Sequence, residues 1–419
     1  MNAPFVKLAL PAGSLQDATL KLMSEAGVEC TVSSRSYSVS TEDPSLSVRL
    51  LRAQEIARCV ESGAADAGIT GYDWICETGA RVKELAELQF SKRTNGGTKW
   101  VLASPEDGPF KTPQDLEGKR IATEAVNLTR AYLLKQGVRA QVEFSWGATE
   151  SKCPDLADAI VDVSETGSSL KANRLRQIAE VFRSTPRLIA NDAALQNCEK
   201  RERIVALGLA LRSILDAREK MLLAMNVPVS KLDQCIELLP ALNAPDIIST
   251  ADAKWLKVET VIERRQYQQL LPKLQARGAQ GIIAEELSRV VPSALPDEKL
   301  IDGSAVLWAD LRLQSRFSIN DVDFAKGNGL VPCIAQSELD GSIRMLGYMS
   351  REALGKTLAT GMLTFFSRKS EKLWTKGETS GNFLRVTDLL LDCDRDTIVA
   401  RVIPKGPTCH VGTETCFGS

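Results

Sequence analysis

One histidine, His410, serves all 419 residues. Acid–base chemistry anywhere before it must proceed without an imidazole. An excess of either charge is also lacking: 52 basic residues face 53 acidic ones, for a formal net charge of −1. Such a balance gives no electrostatic footprint for nucleic acid or an anionic membrane, so neither is an expected partner, and a substrate phosphate has to be held locally. The opening stretch MNAPFVKLALPAGSLQ has one short apolar patch, broken by Lys7 and Pro11, and reads as neither a secretory signal nor a membrane span. The expected compartment is the cytoplasm. Low-complexity tracts and long internal repeats are missing too.

What is present is a soluble globular composition, 44% hydrophobic and 25% charged. The length predicts two to four domains, each with its own core. Among ten cysteines, Cys30, Cys59, Cys76, Cys153, Cys198, Cys235 and Cys333 stand alone in mostly apolar surroundings and read as small buried hydrophobes. Cys393, Cys409 and Cys416 keep different company, described below.

Short apolar runs alternate with helical patterns from Val6 to Gly71: VKLALPAG, SLQDATLKLMSEAG, VRLLRAQEIARCVESG and ADAGITG. That order predicts an α/β layer with a largely parallel sheet. A second α/β lobe is expected from near Trp100, with strands in WVLASPED, GKRIATE, QVEFSW and AIVDVSETG, and a return to the first lobe at RLIANDAAL. From residue 215 the pattern becomes KMLLAMNVP (strand), VSKLDQCIELLPAL (helix), WLKVETVI (strand), QYQQLLPKLQARG (helix) and AQGIIAEELSRVVP (strand), the order of a small ferredoxin-like module. SALPDEKLIDGS reads as a linker and SAVLWADLRLQSRF as helix-like. Short strands dominate after Val322.

Asp392, Asp394 and Asp396 alternate with Cys393 and Arg395, and Cys409, His410 and Cys416 follow. On a strand, alternate residues share a face, so the three carboxylates are expected to converge on a hard cation while Cys393 looks the other way. An EF-hand is excluded, because Thr397 and Ile403 stand where that loop needs Gly and Glu. The alternative is a solvated acidic turn. Three thiolates suit Zn²⁺ and leave one tetrahedral position open for water, and His410 beside them suits proton transfer, a fourth ligand or a buried neutral side chain.

The runs VDFAKGNGLVPCIAQ, MLGYMSREAL, TFFSRKSEKLWTKGETSGN and DCDRD…CHVGTETC resemble the phosphoribosyl-AMP cyclohydrolase family over about residues 318–417. The resemblance implies Mg²⁺ on Asp392, Asp394 and Asp396, and Zn²⁺ on Cys393, Cys409 and Cys416 across a dimer interface. It implies hydrolytic opening of the adenine ring between N1 and C6, with zinc lowering the pKa of water from 15.7 to about 7 and His410 taking or relaying the proton. Ser367, Arg368, Trp374, Lys376 and the loop Gly377–Asn382, with Glu378, Thr379 and Ser380, would hold the substrate.

Nearer the N-terminus, AIVDVSETGSSLKANRL reads as strand, tight glycine loop and helix start, an arrangement that offers backbone N–H groups to an anion, although it lacks Walker spacing and is equally a helix cap. With KLALPAGSLQDATLKL, LLRAQEIARCVESGAADAGITGYDW, GKRIATEAVNLTRAYL and VEFSWGATE, it resembles long-form ATP phosphoribosyltransferase over roughly residues 5–292. The resemblance implies that Asp162 and Glu165 contact the ribose of phosphoribosyl pyrophosphate and that Thr166, Gly167, Ser168, Ser169 and Leu170 cradle its 5′-phosphate. Arg49, Asp73 and Glu77 would line the nucleotide side. Ala12 departs from the lysine common in that family, leaving Arg52 or Lys7 as substitutes. Adenine N1 attacks with its own lone pair, so no general base is required; Mg²⁺ and cations must stabilise departing pyrophosphate.

These readings give an α/β protein. A two-lobed, periplasmic-binding-protein-like catalytic domain (1–214, second lobe about 100–178) is followed by a ferredoxin-like histidine-binding regulatory domain (215–292), a linker (293–317) and a mainly β cyclohydrolase domain (318–419). The implied enzyme catalyses the first and third steps of histidine biosynthesis, with histidine as inhibitor, a separate phosphoribosyl-ATP pyrophosphohydrolase in between, and a homo-oligomeric state. The rivals are a chain with one active half and a solute-binding protein with a structural zinc tail.

Overall fold

The computed structural model describes residues 5–32, 38–90, 97–164, 167–240, 244–309, 311 and 313–417. The chain divides into two compact bodies. The first comprises residues 1–75, 80–98 and 183–301. Its eight-stranded sheet runs in the order Lys299–Asp302, Arg81–Glu87, Pro186–Ala190, Ala67–Gly71, Val6–Ala12, Leu46–Arg52, Ser38–Thr41, Cys30–Val32. Val6–Ala12 is central and nearly all buried, and it pairs in parallel with Leu46–Arg52 and Ala67–Gly71, as an apolar run without strict alternation predicts. The return of the chain near residue 180 is the antiparallel addition of Pro186–Ala190 beside Ala67–Gly71. The helix Cys198–Glu219 starts at Asn197, whose side chain accepts the Lys200 N–H, and buries Ile204, Leu207, Leu211, Ile214 and Leu215 at helical spacing.

The same body carries a four-stranded antiparallel sheet ordered Asp246–Ser249, Trp255–Glu263, Lys220–Pro228, Gln280–Glu286. Met221, Leu223, Met225 and Val227 alternate inward on its central strand, against Leu270 and Leu274 of the helix Tyr267–Ala276. The expected helix over 229–242 shrinks to a 3₁₀ turn and Leu232–Ile236. Pro240 disfavours helical geometry just before it, and residues 241–243 lie outside the described residues.

The second body comprises residues 76–79, 99–182 and 302–419. One five-stranded sheet has the order Leu175–Ser184, Thr98–Pro105, Ala159–Val163, Arg120–Thr123, Gln141–Phe144, the last three mutually parallel. The other has the order Gln314–Ser315, Leu384–Leu391, Ile398–Pro404, Leu330–Ser337, Ile343–Ser350, with the hairpin Thr364–Ser367/Lys372–Thr375 and the helix Arg351–Thr360 beside it. Among the described residues of the helix-like stretch 304–317, helix is confined to Gly303–Leu307, capped by Asp302. Gln314–Ser315 instead pairs with Asp388–Leu389, so sheet pairing overrides local helical preference.

Arg139 links the two sheets of this body, reaching Glu338 Oε1 at 3.0 Å and Asp388 Oδ2 at 3.1 Å. Asp388 is wholly buried; Arg316 lies 3.5 Å from it. Removing one partner of a buried pair leaves a charge without compensation. Arg139→Met is therefore expected to lower stability by about 3 kcal/mol in denaturant unfolding, and Arg139→Met/Asp388→Leu to recover most of it; an additive loss in the double variant would contradict the pairing.

Candidate functional site

The first group of site residues lies at the carboxyl ends of the parallel strands in the second body. Asp162 is at the end of Ala159–Val163, Glu124 follows Arg120–Thr123, and Glu150 follows Gln141–Phe144 across the turn at Gly147 and Ala148. Ligands in open α/β sheets gather at such strand ends. Burial pushes the Asp162 carboxyl up to about 6, assisted by the charges of Glu150 and Glu124 and opposed by the Val163 N–H, which donates to Asp162 Oδ1. Ser169 Oγ donates to Glu150. Gly167, at φ 71°, begins the short helix Ser168–Ala172, which Leu170 anchors in the core while Ser168 and Ser169 face outward. Glu165 and Thr166 lie outside the described residues.

Arg49, Asp73 and Glu77 occupy separate settings. Arg49 is exposed on Leu46–Arg52 and, with Lys7, lines a cavity of 350 Å³. Asp73 is buried; its Oδ1 accepts from Ser184 Oγ at 2.8 Å and from the Trp74 N–H at 3.0 Å. Both belong to the first body, whereas Glu77 belongs to the second. There the Glu77 carboxylate accepts the N–H groups of Asn127 (3.0 Å) and Leu128 (2.8 Å), capping the helix Val126–Lys135 from outside it.

The second group lies in the C-terminal region. The strand Leu384–Leu391 ends before the aspartates, and Asp392–Asp396 occupy the turn that leads into Ile398–Pro404. This corrects the strand expectation. Asp392 Oδ1 accepts the N–H groups of Asp396 and Thr397, and Arg395 adopts φ 66°, so the chain reverses where alternation would have continued. The three carboxylates nevertheless meet: one oxygen from each lies within 4.8 Å of the others. Lys326 Nζ sits 3.1 Å from Asp394 Oδ2 and 3.7 Å from Asp396 Oδ2, which raises the lysine pKa, chiefly through its bond to Asp394. Held this close, with a cation already against them, the carboxylates are a donor set that fits a hard divalent ion.

Cys409 and Cys416 lie close enough for each to shift the other's thiol pKa. The Val411 N–H, then the Thr413 hydroxyl, hold the Cys409 thiol below its ordinary pKa; burial and the adjacent Cys409 sulfur push Cys416 up, against the charge of Lys376. His410 is exposed, with Nδ1 3.8 Å from Cys409 Sγ. This pair fits half of a tetrahedral soft-cation site. Cys393 is exposed in the aspartate turn and does not join the carboxylate group.

The expected substrate-holding residues lie on and around the hairpin Thr364–Ser367/Lys372–Thr375 and in the turn that follows it. Lys376 bears on Cys416, as noted, and Trp374 packs against Phe365 at 5.3 Å between ring centroids. Arg368 lies over the Tyr348 ring at 3.8 Å, and Ser367 ends the strand Thr364–Ser367. Gly377, at φ 95°, lies so close to Asn382 and Phe383 that a Cβ there would meet Phe383 N at 2.4 Å, which folds Glu378, Thr379 and Ser380 into an exposed tight turn. Sequence reasoning missed Lys326 and the acidic neighbours Glu124 and Glu150 as partners of the site. Lys326 stands inside the run VDFAKGNGLVPCIAQ, but nothing there ties it to Asp394, 68 positions away, whereas Glu124 and Glu150, just beyond predicted strands, were available from the predicted α/β order.

Glu77 yields a test. Burial outweighs its amide hydrogen bonds and lifts its pKa to about 7. A carboxyl raised on folding binds its proton more tightly in the folded state, so stability is lost as pH climbs from the unfolded value, near 4.5, through about 7. Glu77→Gln is expected to remove that part of the pH dependence, about 3 kcal/mol at most, in unfolding curves taken from pH 4.5 to 8. Parallel pH profiles for the two proteins would show that Glu77 does not titrate there.

Family models match in order along the chain: ATP phosphoribosyltransferase over residues 52–213, HisG C-terminal domain over 217–289, and phosphoribosyl-AMP cyclohydrolase over 345–418. The ATP phosphoribosyltransferase of Chlorobaculum parvum is 48% identical over 286 residues, covering 68% of this chain and 97% of that protein. That of Thermodesulfovibrio yellowstonii is 48% identical over 292 residues, covering 70% of this chain and 100% of the relative. Among solved structures, an ATP phosphoribosyl transferase (HisG:HisZ) complex from Thermotoga maritima matches 50% of this chain and 97% of its own with 27% identity and a TM-score of 0.41. The chain therefore belongs to the ATP phosphoribosyltransferase family and carries, after its HisG C-terminal domain, a phosphoribosyl-AMP cyclohydrolase domain.

Proposed function

We propose that this chain catalyses two steps of histidine biosynthesis: transfer of phosphoribosyl from phosphoribosyl pyrophosphate to N1 of ATP, and hydrolytic opening of the adenine ring of phosphoribosyl-AMP. The observation that carries the reading is the presence, in one chain, of a raised-pKa aspartate at the strand ends of a transferase-family domain and of a carboxylate triad with a thiol pair in a cyclohydrolase-family domain.

In the transferase half, Asp162, mostly ionised at neutral pH with a pKa of about 6, accepts hydrogen bonds from the ribose hydroxyls together with Glu165. Thr166 to Leu170 receive the 5′-phosphate, and Arg49, Asp73 and Glu77 serve the nucleotide side. The acidic surroundings of Asp162 suit Mg²⁺ brought in on the pyrophosphate. Positioning supplies the catalysis, because the attacking nitrogen already has a free lone pair.

In the cyclohydrolase half, Asp392, Asp394 and Asp396 would hold Mg²⁺, and Cys409 and Cys416 would hold Zn²⁺ with Cys393 contributed across a dimer. Bound zinc would supply a water acidic enough to attack C6 near neutral pH. His410, exposed beside Cys409, takes or relays the proton, and Ser367, Arg368, Trp374, Lys376, Glu378, Thr379 and Ser380 hold the phosphoribosyl end. The domain divisions at 214, 292 and 317 extend the same reading, as do histidine as inhibitor through residues 215–292, homo-oligomerisation, a separate pyrophosphohydrolase and a cytoplasmic setting. No helix among the described residues is long and apolar enough to cross a membrane.

Phosphoribosyl-ATP formation and phosphoribosyl-AMP hydrolysis are to be assayed separately on the purified chain. Asp162→Ala is expected to reduce the first at least 100-fold and leave the second within about twofold; Cys409→Ser is expected to do the reverse. Absence of both activities from the wild-type protein would sink the enzyme reading, and loss of both in either variant would show that the halves do not act independently. Dialysis against a zinc chelator is expected to abolish only the hydrolysis.

A further inference from the structure

Arg344 lies on the strand Ile343–Ser350 just before Met345, and only 6% of it is exposed. A guanidinium at a core-facing position is costly unless its donors are used. Nη1 donates to the Glu414 backbone carbonyl at 3.0 Å and to Glu414 Oε2 at 2.6 Å. Nη2 donates to Asp340 Oδ2 at 3.1 Å and to Ser337 Oγ at 3.5 Å, while Nε has no hydrogen-bond partner among the described residues. The Arg344 backbone reaches the same loop: its carbonyl accepts the Cys416 N–H at 2.8 Å, and the preceding Ile343 carbonyl accepts Thr415 Oγ1 at 2.6 Å. Glu414, Thr415 and Cys416 are thus all bonded to residues 343 and 344. Within the loop, Cys409 and Thr413 close a turn through Cys409 N–H to Thr413 O at 2.9 Å, which keeps Cys409 near Cys416.

We propose that Arg344 is the positioning residue that holds the Cys409–Cys416 thiol pair in place for a soft divalent cation of the zinc class. The inference rests on the reading of these thiols as ligands. Glu414 is 69% exposed at its side chain and Asp340 55%, whereas that of Arg344 is 7% exposed. The anchor is therefore the arginine, fixed by the core, and its two carboxylate partners are surface groups drawn to it. Without the guanidinium, Glu414 returns to solvent and the loop must be ordered by the cation itself, which weakens binding. The thiols remain present and chemically intact.

The test is Zn²⁺ affinity, measured on the full chain by competition with a chromophoric chelator, with Mn²⁺ affinity measured alongside as a report on the carboxylate triad. Arg344→Leu is expected to weaken zinc binding at least tenfold and leave Mn²⁺ binding within twofold, with Arg344→Lys recovering part of the loss. Glu414→Gln, at an exposed side chain that cannot disturb the core, is expected to weaken zinc binding about threefold, and it decides the matter if Arg344→Leu does not fold. Unchanged zinc affinity in these variants, or an equal fall in Mn²⁺ affinity, overturns the positioning role. If the wild-type chain binds no zinc, the ligand reading itself falls and the proposal with it.

Discussion

The second body depends on a charge that has been taken out of water. Asp388 sits on a strand in the middle of an apolar segment with no exposed surface, and its compensation comes from Arg139, in the loop that precedes an edge strand of the other sheet. Glu338 shares the same guanidinium and also accepts from Thr387, the neighbour of Asp388. Two sheets that also meet through apolar contacts and the Arg130 bond to the Leu339 carbonyl are thereby made to answer for each other's electrostatics. Apolar contacts around Leu133, Val138, Trp308 and Leu339 line the narrow space nearby, but such contacts tolerate sliding. A buried carboxylate with one principal partner fixes the register.

The two candidate centres solve different problems with different materials. At the strand ends around Asp162, burial, helped by the nearby charges of Glu150 and Glu124, lifts the carboxyl to about 6. In the C-terminal region three carboxylates also gather, yet Asp392 stays below its ordinary pKa despite some desolvation, because the N–H groups of Thr397 and Asp396 donate to it. Crowding alone therefore does not set protonation; burial decides it at Asp162 and backbone donors decide it at Asp392. The thiol pair repeats the contrast within one loop, with Cys409 lowered by donors and Cys416 raised by burial.

Much of the fold was legible because apolar periodicity is local. Lys220–Pro228 and Val6–Ala12 begin within a residue of the runs that announced them, and Ala159–Val163 ends where the glycine loop was read. The gathering of the carboxylates was legible because its members, Asp392 to Asp396, are neighbours in sequence. The site was illegible where a partner arrives from far away: Lys326 meets Asp394 across 68 positions, and Arg344 meets Glu414 across 70. The aspartate turn failed for a subtler reason. Alternation is also compatible with a reversal in which one aspartate bonds the amides that follow it, and nothing in the residue types distinguishes the two.

Lys326 gives the aspartate turn a property that its carboxylates alone would not have. Three like charges confined to a few ångströms repel one another, and such a turn would be expected to splay whenever it is left to itself. The ammonium, bonded to the Asp394 carbonyl at 2.7 Å as well as to its side chain, acts as a tethered counter-ion that travels with the protein. Capture of a divalent ion at this turn would then be an exchange of one positive charge for another: the incoming ion would meet carboxylates already gathered, with the lysine at hand to take its place again.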